Sequence, residues 1–202
     1  YAIAGGAACV VPGGAIDREA QVRGETLYAP DKRVPLHPPV LSEGRASLLR
    51  DQVRPALVWT LDLDGRGDLQ STDVRRARVR SRRQLDYVAV QGWIDGGTAT
   101  ADLLLLKEIG ELRQARARER GAVDLPSLEQ EVDADGHLTY RVPVASEAWN
   151  AQISLLTGMA AASLMLDAKV GILRTLPVPD PDAVTSLRRS AQALGVGWPP
   201  EM

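Results

Sequence analysis

The sequence predicts an α+β (mixed α/β) fold in which β-hairpins pack against several helices, and three observations lead there. Pro55–Asp62 and Leu69–Ser81 are strand-like runs joined by the turn Asp64-Gly65-Arg66-Gly67-Asp68, which reads as a hairpin. A second hairpin is expected over Glu129–Val142, turning at Asp133-Ala134-Asp135-Gly136. Two long helical segments, Leu103–Arg120 and Ser146–Leu166, stand apart from these strands, so the elements do not alternate as a doubly wound sheet requires.

In chain order, residues 1–11 are small and apolar and are expected to form a buried strand, loosened by Gly5-Gly6 and ended by Pro12-Gly13-Gly14. A short helix is expected from about Asp17 to Arg23, with Asp17 as N-cap and Gly24 as its stop. Pro30 to Pro39 is too rigid and too poor in N–H donors for regular structure. A brief helix should follow near Ser42–Leu49. In the strand Leu69–Ser81, Arg76, Arg78 and Arg80 alternate with Ala77, Val79 and Ser81, which puts the three guanidiniums on one face. Leu85–Asp95 reads as a helix ended by Gly96-Gly97. The helix Leu103–Arg120 carries Leu105, Ile109 and Leu112 on one side and charge on the other, and Gly121 closes it. Ser146 is the expected N-cap of the longest helix, whose packing face should comprise Leu155, Met159, Ala162 and Leu166. Gly171–Leu176 reads as a short strand, Pro177–Pro181 as a connector and Asp182–Leu194 as the last helix. No repeat, low-complexity tract or domain boundary stands out, so 1–202 is read as one domain.

Composition narrows the function classes. Apolar residues make up 45% and charged residues 25% of 202 residues, an ordinary balance for a globular chain with a real core. A net charge of −2 supplies no global positive field, so any nucleic-acid contact needs a local basic groove. The single cysteine, Cys9, excludes an intramolecular disulfide and suits a reducing compartment. Apolar stretches fall short of the roughly 20 residues of a membrane span and no basic-then-apolar leader is present, so the cytoplasm is the expected location.

Several residues invite chemistry. Tyr28 lies between the short helix and the proline-rich segment, a poor place for an ordinary core residue. It could stack on a base or sugar of single-stranded nucleic acid, or its hydroxyl could anchor the loop. On the longest helix Asn150, Ser154 and Thr157 share one stripe. Their partners are either neighbouring backbone or the ribose edges of a bound strand. Arg76, Arg78 and Arg80, with Arg75, Arg82 and Arg83, form either a phosphate track or a solvated strand face. Arg113, Arg116, Arg118 and Arg120 read as the exposed side of their helix, and His37 and His137 as incidental. The Asp62–Asp68 run loosely resembles a calcium loop but lacks the distal bidentate glutamate. There is no P-loop, GxSxG elbow or HExxH motif.

Gly24–Pro35 (GETLYAPDKRVP) resembles a segment of the ribonuclease II (RNB) family of 3′→5′ exoribonucleases that reads roughly RGTSVYLPDRVIPMLPE. The resemblance continues in Leu41–Leu48 (LSEGRASL), similar to LSEGLCSL, in Arg54-Pro55-Ala56-Leu57, and in Ser81–Tyr87 (SRRQLDY), similar to SRAKLTY. Glu147–Leu166 resembles the family's glutamate-bearing helix, and Gly171–Pro181 (GILRTLPVPDP) is similar to LYRVHEPPDP.

That resemblance implies an RNB-like domain and a magnesium-dependent exoribonuclease that hydrolyses single-stranded RNA to nucleoside 5′-monophosphates. It makes Tyr28 the tyrosine that clamps RNA near its 3′ end. It places the family's helix glutamate, which contacts the terminal nucleotide, at Ala151 or Gln152; Gln152 could keep the hydrogen bonds without the charge. Asn150 and Arg174 complete the expected RNA-contacting set. The family's metal-binding aspartate cluster falls before Tyr1, and its phosphate-steadying arginine falls beyond Met202. No catalytic residue or metal ligand is therefore expected within the chain, which reads as a partial RNB domain, inactive alone, with exposed apolar surface and a tendency to self-associate. Three departures, Gly5 where the family has Asp, Gln152 in place of its helix glutamate and Leu176 where it has His, favour an alternative: a degenerate RNB-like RNA-binding or scaffold protein. Neither DNA nor a membrane is an expected partner.

Overall fold

The long hairpin forms as the alternation predicts. In the computed structural model, which describes residues 1–123, 128–133, 135–173, 175 and 177–198, β4 (Val53–Leu63) pairs antiparallel with β5 (Leu69–Arg80). A short β1 (Ala2–Ala4) lies on the other side of β4, giving the order β1-β4-β5. Aspartate closes the turn: the Asp64 carboxylate accepts the N–H groups of Arg66 and Asp68, both at 2.9 Å, and Gly67 takes φ +82°. Ala56 is buried on one face of β4 and Trp59, an odd number of residues away, on the other. The covered side of this ribbon therefore switches along its length.

The expected eleven-residue strand is only three residues long. At Gly5 the chain gives its N–H to the Pro55 carbonyl at 2.9 Å and turns into a 3₁₀ segment, Gly6–Ala8. The glycines that were read as weakening the strand end it. Helix α1 (Ala15–Arg23) begins earlier than expected, with Gly14 as N-cap. Asp17 lies in its first turn and accepts the Gly13 N–H at 2.7 Å, and Gly24 stops the helix at φ +78°.

The proline-rich segment is more regular than expected. Leu27–Tyr28 (β2) pairs with Arg33–Val34 (β3) around a tip containing Pro30, because the ladder draws its donors from residues beside the proline. A π-helical turn, Val40–Arg45, replaces the α-helix expected at Ser42–Leu49.

Helix α2 (Tyr87–Asp95) is capped by Asp86, which accepts the Ala89 N–H at 2.8 Å. It is followed by α3 (Ala101–Glu119), the hairpin β6 (Glu129–Val132) and β7 (Leu138–Arg141), α4 (Ala145–Ala168) and α5 (Pro181–Ala193). Among the described residues of 171–176 no strand forms. The chain divides into two compact units, Tyr1–Ala161 and Ala162–Met202.

Both long helices pack through faces other than those expected. On α3 the buried residues are Leu103, Gly110 and Arg113, while Leu105 is exposed. On α4 they are Ser146, Trp149, Leu156, Thr157 and Ala160, and Leu155, Met159 and Leu166 face solvent. The reason is Gly110. A Cβ there would lie 2.7 Å from the Trp149 Cα, so the missing side chain lets α4 approach α3 along the Trp149 stripe. Lys107 completes the contact, its Nζ 5.6 Å from the centre of the Trp149 ring. By length and composition α4 is long and apolar enough to cross a membrane, beyond the apolar stretch read from the sequence.

Candidate nucleic-acid interface

Tyr28 stands at the end of the β2–β3 hairpin with 78% of its surface exposed. The hairpin is fixed by other groups: Ala29 N–H to the Lys32 carbonyl at 2.8 Å, Leu36 N–H to Thr26 Oγ1 at 3.0 Å, and Arg23 to the Pro35 carbonyl at 2.9 Å. Arg33, opposite Tyr28 in the register, is ion-paired with Glu43 of the π-helical turn. The Tyr28 hydroxyl makes no hydrogen bond among the described residues, so it is not what anchors this loop. The ring is free to be covered by something else.

Asn150 lies on the first turns of α4 and gives its amide to the Tyr87 hydroxyl at 2.9 Å. Ser146, one turn earlier, is fully buried; its Oγ donates to the Tyr87 carbonyl and its N–H to Gln91 Oε1, each at 2.9 Å. Ser146 is thus a bolt between α2 and α4 rather than the expected N-cap. The capping role falls to Glu147, whose carboxylate accepts the Val144 N–H at 2.9 Å, one half of a capping box. The expected polar stripe comes apart: Thr157 is buried and bonds back to the Ile153 carbonyl at 2.9 Å, whereas Ser154 is exposed.

Gln152 is half-buried and lies two residues from Asn150, on a different side of the helix. No hydrogen bond among the described residues joins Tyr28, Asn150 and Gln152 to one another. Arg174 and Leu176 lie outside the described residues. Tyr87, whose hydroxyl meets Asn150, lies within the Ser81–Tyr87 motif, but its contact spans 63 residues and leaves no local signal.

Beside this end of α4, Arg141 of β7 reaches Glu147 at 2.5 Å and also pairs with Glu129 of β6. The Arg141 hydrogen bond holds the Glu147 carboxyl below its usual range, and the two carboxylates raise the Arg141 guanidinium above its own. Arg113, expected on an exposed face, is only 4% exposed and donates to the Gly67 carbonyl at 2.7 Å, tying α3 to the β4–β5 turn. Burial lowers its pKa.

Among the described residues the carboxylates of the β4–β5 turn do not converge on one point. Hydrogen bonds from the Asp68 and Arg66 N–H groups lower the Asp64 pKa and occupy the carboxylate, while Asp62 accepts from Ser71. Among the described residues one grouping could hold an ion: Asp133, Asp135 and His137, all exposed at the β6–β7 turn. Asp133 is itself bonded to the Asp135 and His137 N–H groups at 3.0 and 2.9 Å. This mixed, solvent-facing set does not fit a pair of ions clamped by several carboxylates. His137, expected to be incidental, lies 3.7 Å from Asp133, and His37 has its Nδ1 sealed from solvent without a partner.

The chain presents an exposed tyrosine on a hydrogen-bonded hairpin and an α2–α4 junction bolted through Ser146 and Tyr87. The chain belongs to the RNB domain family, whose sequence model matches residues 2–197. It is 28% identical to the probable exosome complex exonuclease RRP44 of Caenorhabditis elegans, over 92% of this chain and 21% of that protein. Exoribonuclease 2 of Vibrio vulnificus is 30% identical over 62% of this chain and 20% of its own length. The chain thus spans about a fifth of these curated relatives. Among solved structures, Mycoplasma genitalium RNase R in complex with double-stranded RNA superposes with a TM-score of 0.86 at 24% identity, covering 98% of this chain and 38% of that one. Yeast Ssd1, a pseudonuclease, superposes with a TM-score of 0.66 at 20% identity, covering 92% and 24%.

Proposed function

We propose that this chain is the RNA-holding part of a 3′→5′ exoribonuclease of the RNB family, with Tyr28 stacking on a base near the 3′ end of single-stranded RNA. The observation that carries the reading is the Tyr28 ring, 78% exposed on a hairpin that other bonds hold rigid. An aromatic face presented without its own partner is a stacking platform, and its loop loses little further entropy when a base arrives. Asn150 and Gln152 are the polar groups of α4 assigned to the ribose edges, and Arg174 to phosphate. The whole enzyme is assigned magnesium-dependent hydrolysis to nucleoside 5′-monophosphates. Magnesium would activate water and neutralise charge at the scissile phosphate. The described residues do not fit its ligand set, so no hydrolytic step is placed on them, and the isolated chain is expected to bind without cleaving.

One observation favours the scaffold reading. A Cβ at Gly5 would lie 3.2 Å from the Pro55 carbonyl oxygen, so the aspartate of the family motif would require the Pro55 backbone to give way by a few tenths of an ångström. The likeness to a pseudonuclease agrees with it. The two readings separate on 5′-labelled single-stranded RNA with magnesium. Tyr28→Ala should weaken binding roughly 5- to 150-fold, the equivalent of ~1–3 kcal/mol for one stacked base. Binding by Tyr28→Ala equal to the parent would refute the stacking role. A ladder shortening from the 3′ end, abolished by chelator, would show a metal site within the chain.

A further inference from the structure

We infer that Arg76, Arg78 and Arg80 form a second, sequence-independent contact for the RNA backbone, on the opposite face of the three-stranded sheet from the layer that leads to Tyr28. This inference rests on the RNA-binding reading above. In the β4–β5 register Arg76 stands opposite Leu57, Arg78 opposite Pro55 and Arg80 opposite Val53, and opposed residues share a face. Ile3 of β1 joins that face beside Leu57. Ile3, Val53, Pro55, Leu57, Arg76, Arg78 and Arg80 are all exposed. The other face is covered: Ala56 is buried, and Arg54 lines a cavity with Cys9, Ile16, Val40 and Leu41. That places α1 and the π-helical turn there, with Pro55 at the edge of the same cavity, while Ala8 of the 3₁₀ segment also borders a hollow lined by Leu57 and Arg76; the Tyr28 hairpin follows α1 in the chain.

The charge on the open face is unbalanced. Residues 74–85 contain six arginines and no carboxylate, in a chain whose net charge is −2, and three of the six, Arg76, Arg78 and Arg80, lie on this face. Among the described residues the side chains of Arg76, Arg78 and Arg80 make no ion pair or hydrogen bond, although arginines elsewhere in the chain, such as Arg23, Arg33, Arg50, Arg116 and Arg141, pair with acids. Same-face residues on a strand repeat at about 6.7 Å, which sets the three guanidiniums in a line. Guanidinium forks match phosphate oxygens in pairs. A protein partner of ordinary affinity needs an aromatic or methionine anchor at its centre. On this face the aromatics stand at its far end, Tyr1 beside the buried Trp59 and away from Arg78 and Arg80, so a polyanion with one charge per repeat fits the arginine stripe better than an acidic protein.

The test is a titration of the 202-residue chain with labelled oligouridylate at several salt concentrations, comparing the parent, the triple variant Arg76→Gln/Arg78→Gln/Arg80→Gln, the same triple to lysine, and Tyr28→Ala. Each phosphate contact on a single strand contributes about 0.7 to the slope of log affinity against log salt, so three contacts contribute about two. The glutamine triple should lose a slope of about two, the lysine triple should keep it, and Tyr28→Ala should lose affinity with its slope unchanged. A glutamine triple with the parent's slope overturns the inference while leaving the Tyr28 reading intact. A slope change in the triple with no effect of Tyr28→Ala refutes the stacking role instead. Absence of RNA binding by the parent overturns both. Displacement of RNA by polyglutamate as effectively as by polyuridylate would assign the stripe to an acidic protein and overturn the RNA assignment.

Discussion

Replacing Gly110 by alanine should separate α3 from α4. A Cβ built there lies 2.7 Å from the Trp149 Cα and 2.8 Å from its Cδ1. Carbon atoms in favourable contact sit about 3.5–4.0 Å apart, so the helices must move by about 1 Å at the crossing. A rotamer change cannot supply that movement, because one of the opposing atoms is backbone. Trp149, Leu156 and Ala160, at 5%, 3% and 0% exposure, are buried along the same stripe of α4 and would lose contact with the shift. Overpacking of this kind costs about 1–3 kcal/mol, and the upper end applies where a whole helix must shift. Alanine's better helix propensity returns about 1 kcal/mol. The net loss is then about 2 kcal/mol, or a fall in Tm of roughly 4–8 °C for a chain of this size. Gly158→Ala is the control. It lies on the exposed side of α4 with nothing within 4 Å of its would-be Cβ, and should raise stability by up to about 1 kcal/mol. Thermal unfolding followed by tryptophan fluorescence reads both. A Gly110→Ala protein melting at or above the parent temperature would mean that Gly110 does not hold this crossing.

Three further outcomes follow from the same structure. Arg113→Leu removes the donor to the Gly67 carbonyl and should lower stability by about 1–3 kcal/mol, read as a shift in the urea midpoint. Gly67→Ala should cost about 2 kcal/mol, since its φ is +82° and a Cβ would lie 2.9 Å from the Leu112 Cβ; Gly65→Ala, with open space around it, should be near neutral. Glu147 is held below its usual pKa in the folded protein, chiefly by Arg141, so its contribution is complete above the unfolded value of about 4.3 and is lost as pH falls through the folded value. Glu147→Gln should therefore flatten the acid side of the stability–pH curve; an unchanged acid limb would remove the Arg141–Glu147 pair from the account.

The elements that the sequence revealed are those whose reasons are local. The β4–β5 hairpin depends on alternation plus an aspartate–glycine turn, and Asp64 bonds residues only two and four positions away. Gly24 stops α1 through its own backbone angle. The 3₁₀ segment and the β2–β3 ladder were missed because each depends on a bond that a propensity argument does not see: Gly5 to Pro55 in one case, and donors flanking a proline in the other.

The helix faces show the same limit from another side. Periodicity establishes that α4 is a helix, but a helix apolar nearly all round offers several stripes of equal merit. What selects the Trp149 stripe is a missing side chain on a different helix, Gly110, and no hydropathy pattern within α4 contains that information. Arg113 follows from the same geometry. Once α3 turns Gly110 inward, the residue three positions on is carried inward too, and a charge read as solvated becomes the link to the Gly67 carbonyl. The site divides in the same way. The exposure of Tyr28 follows from its place in a short contiguous motif beside prolines and needs no distant partner. The Asn150–Tyr87 bond was not legible, because it exists only after α2 and α4 are bolted together through Ser146. A substitution at Ser146 should therefore disturb the α4 end of the proposed interface while leaving the Tyr28 hairpin in place, since among the described residues that hairpin bonds to α1, the π-helical turn and Val132 of β6 and not to α2 or α4.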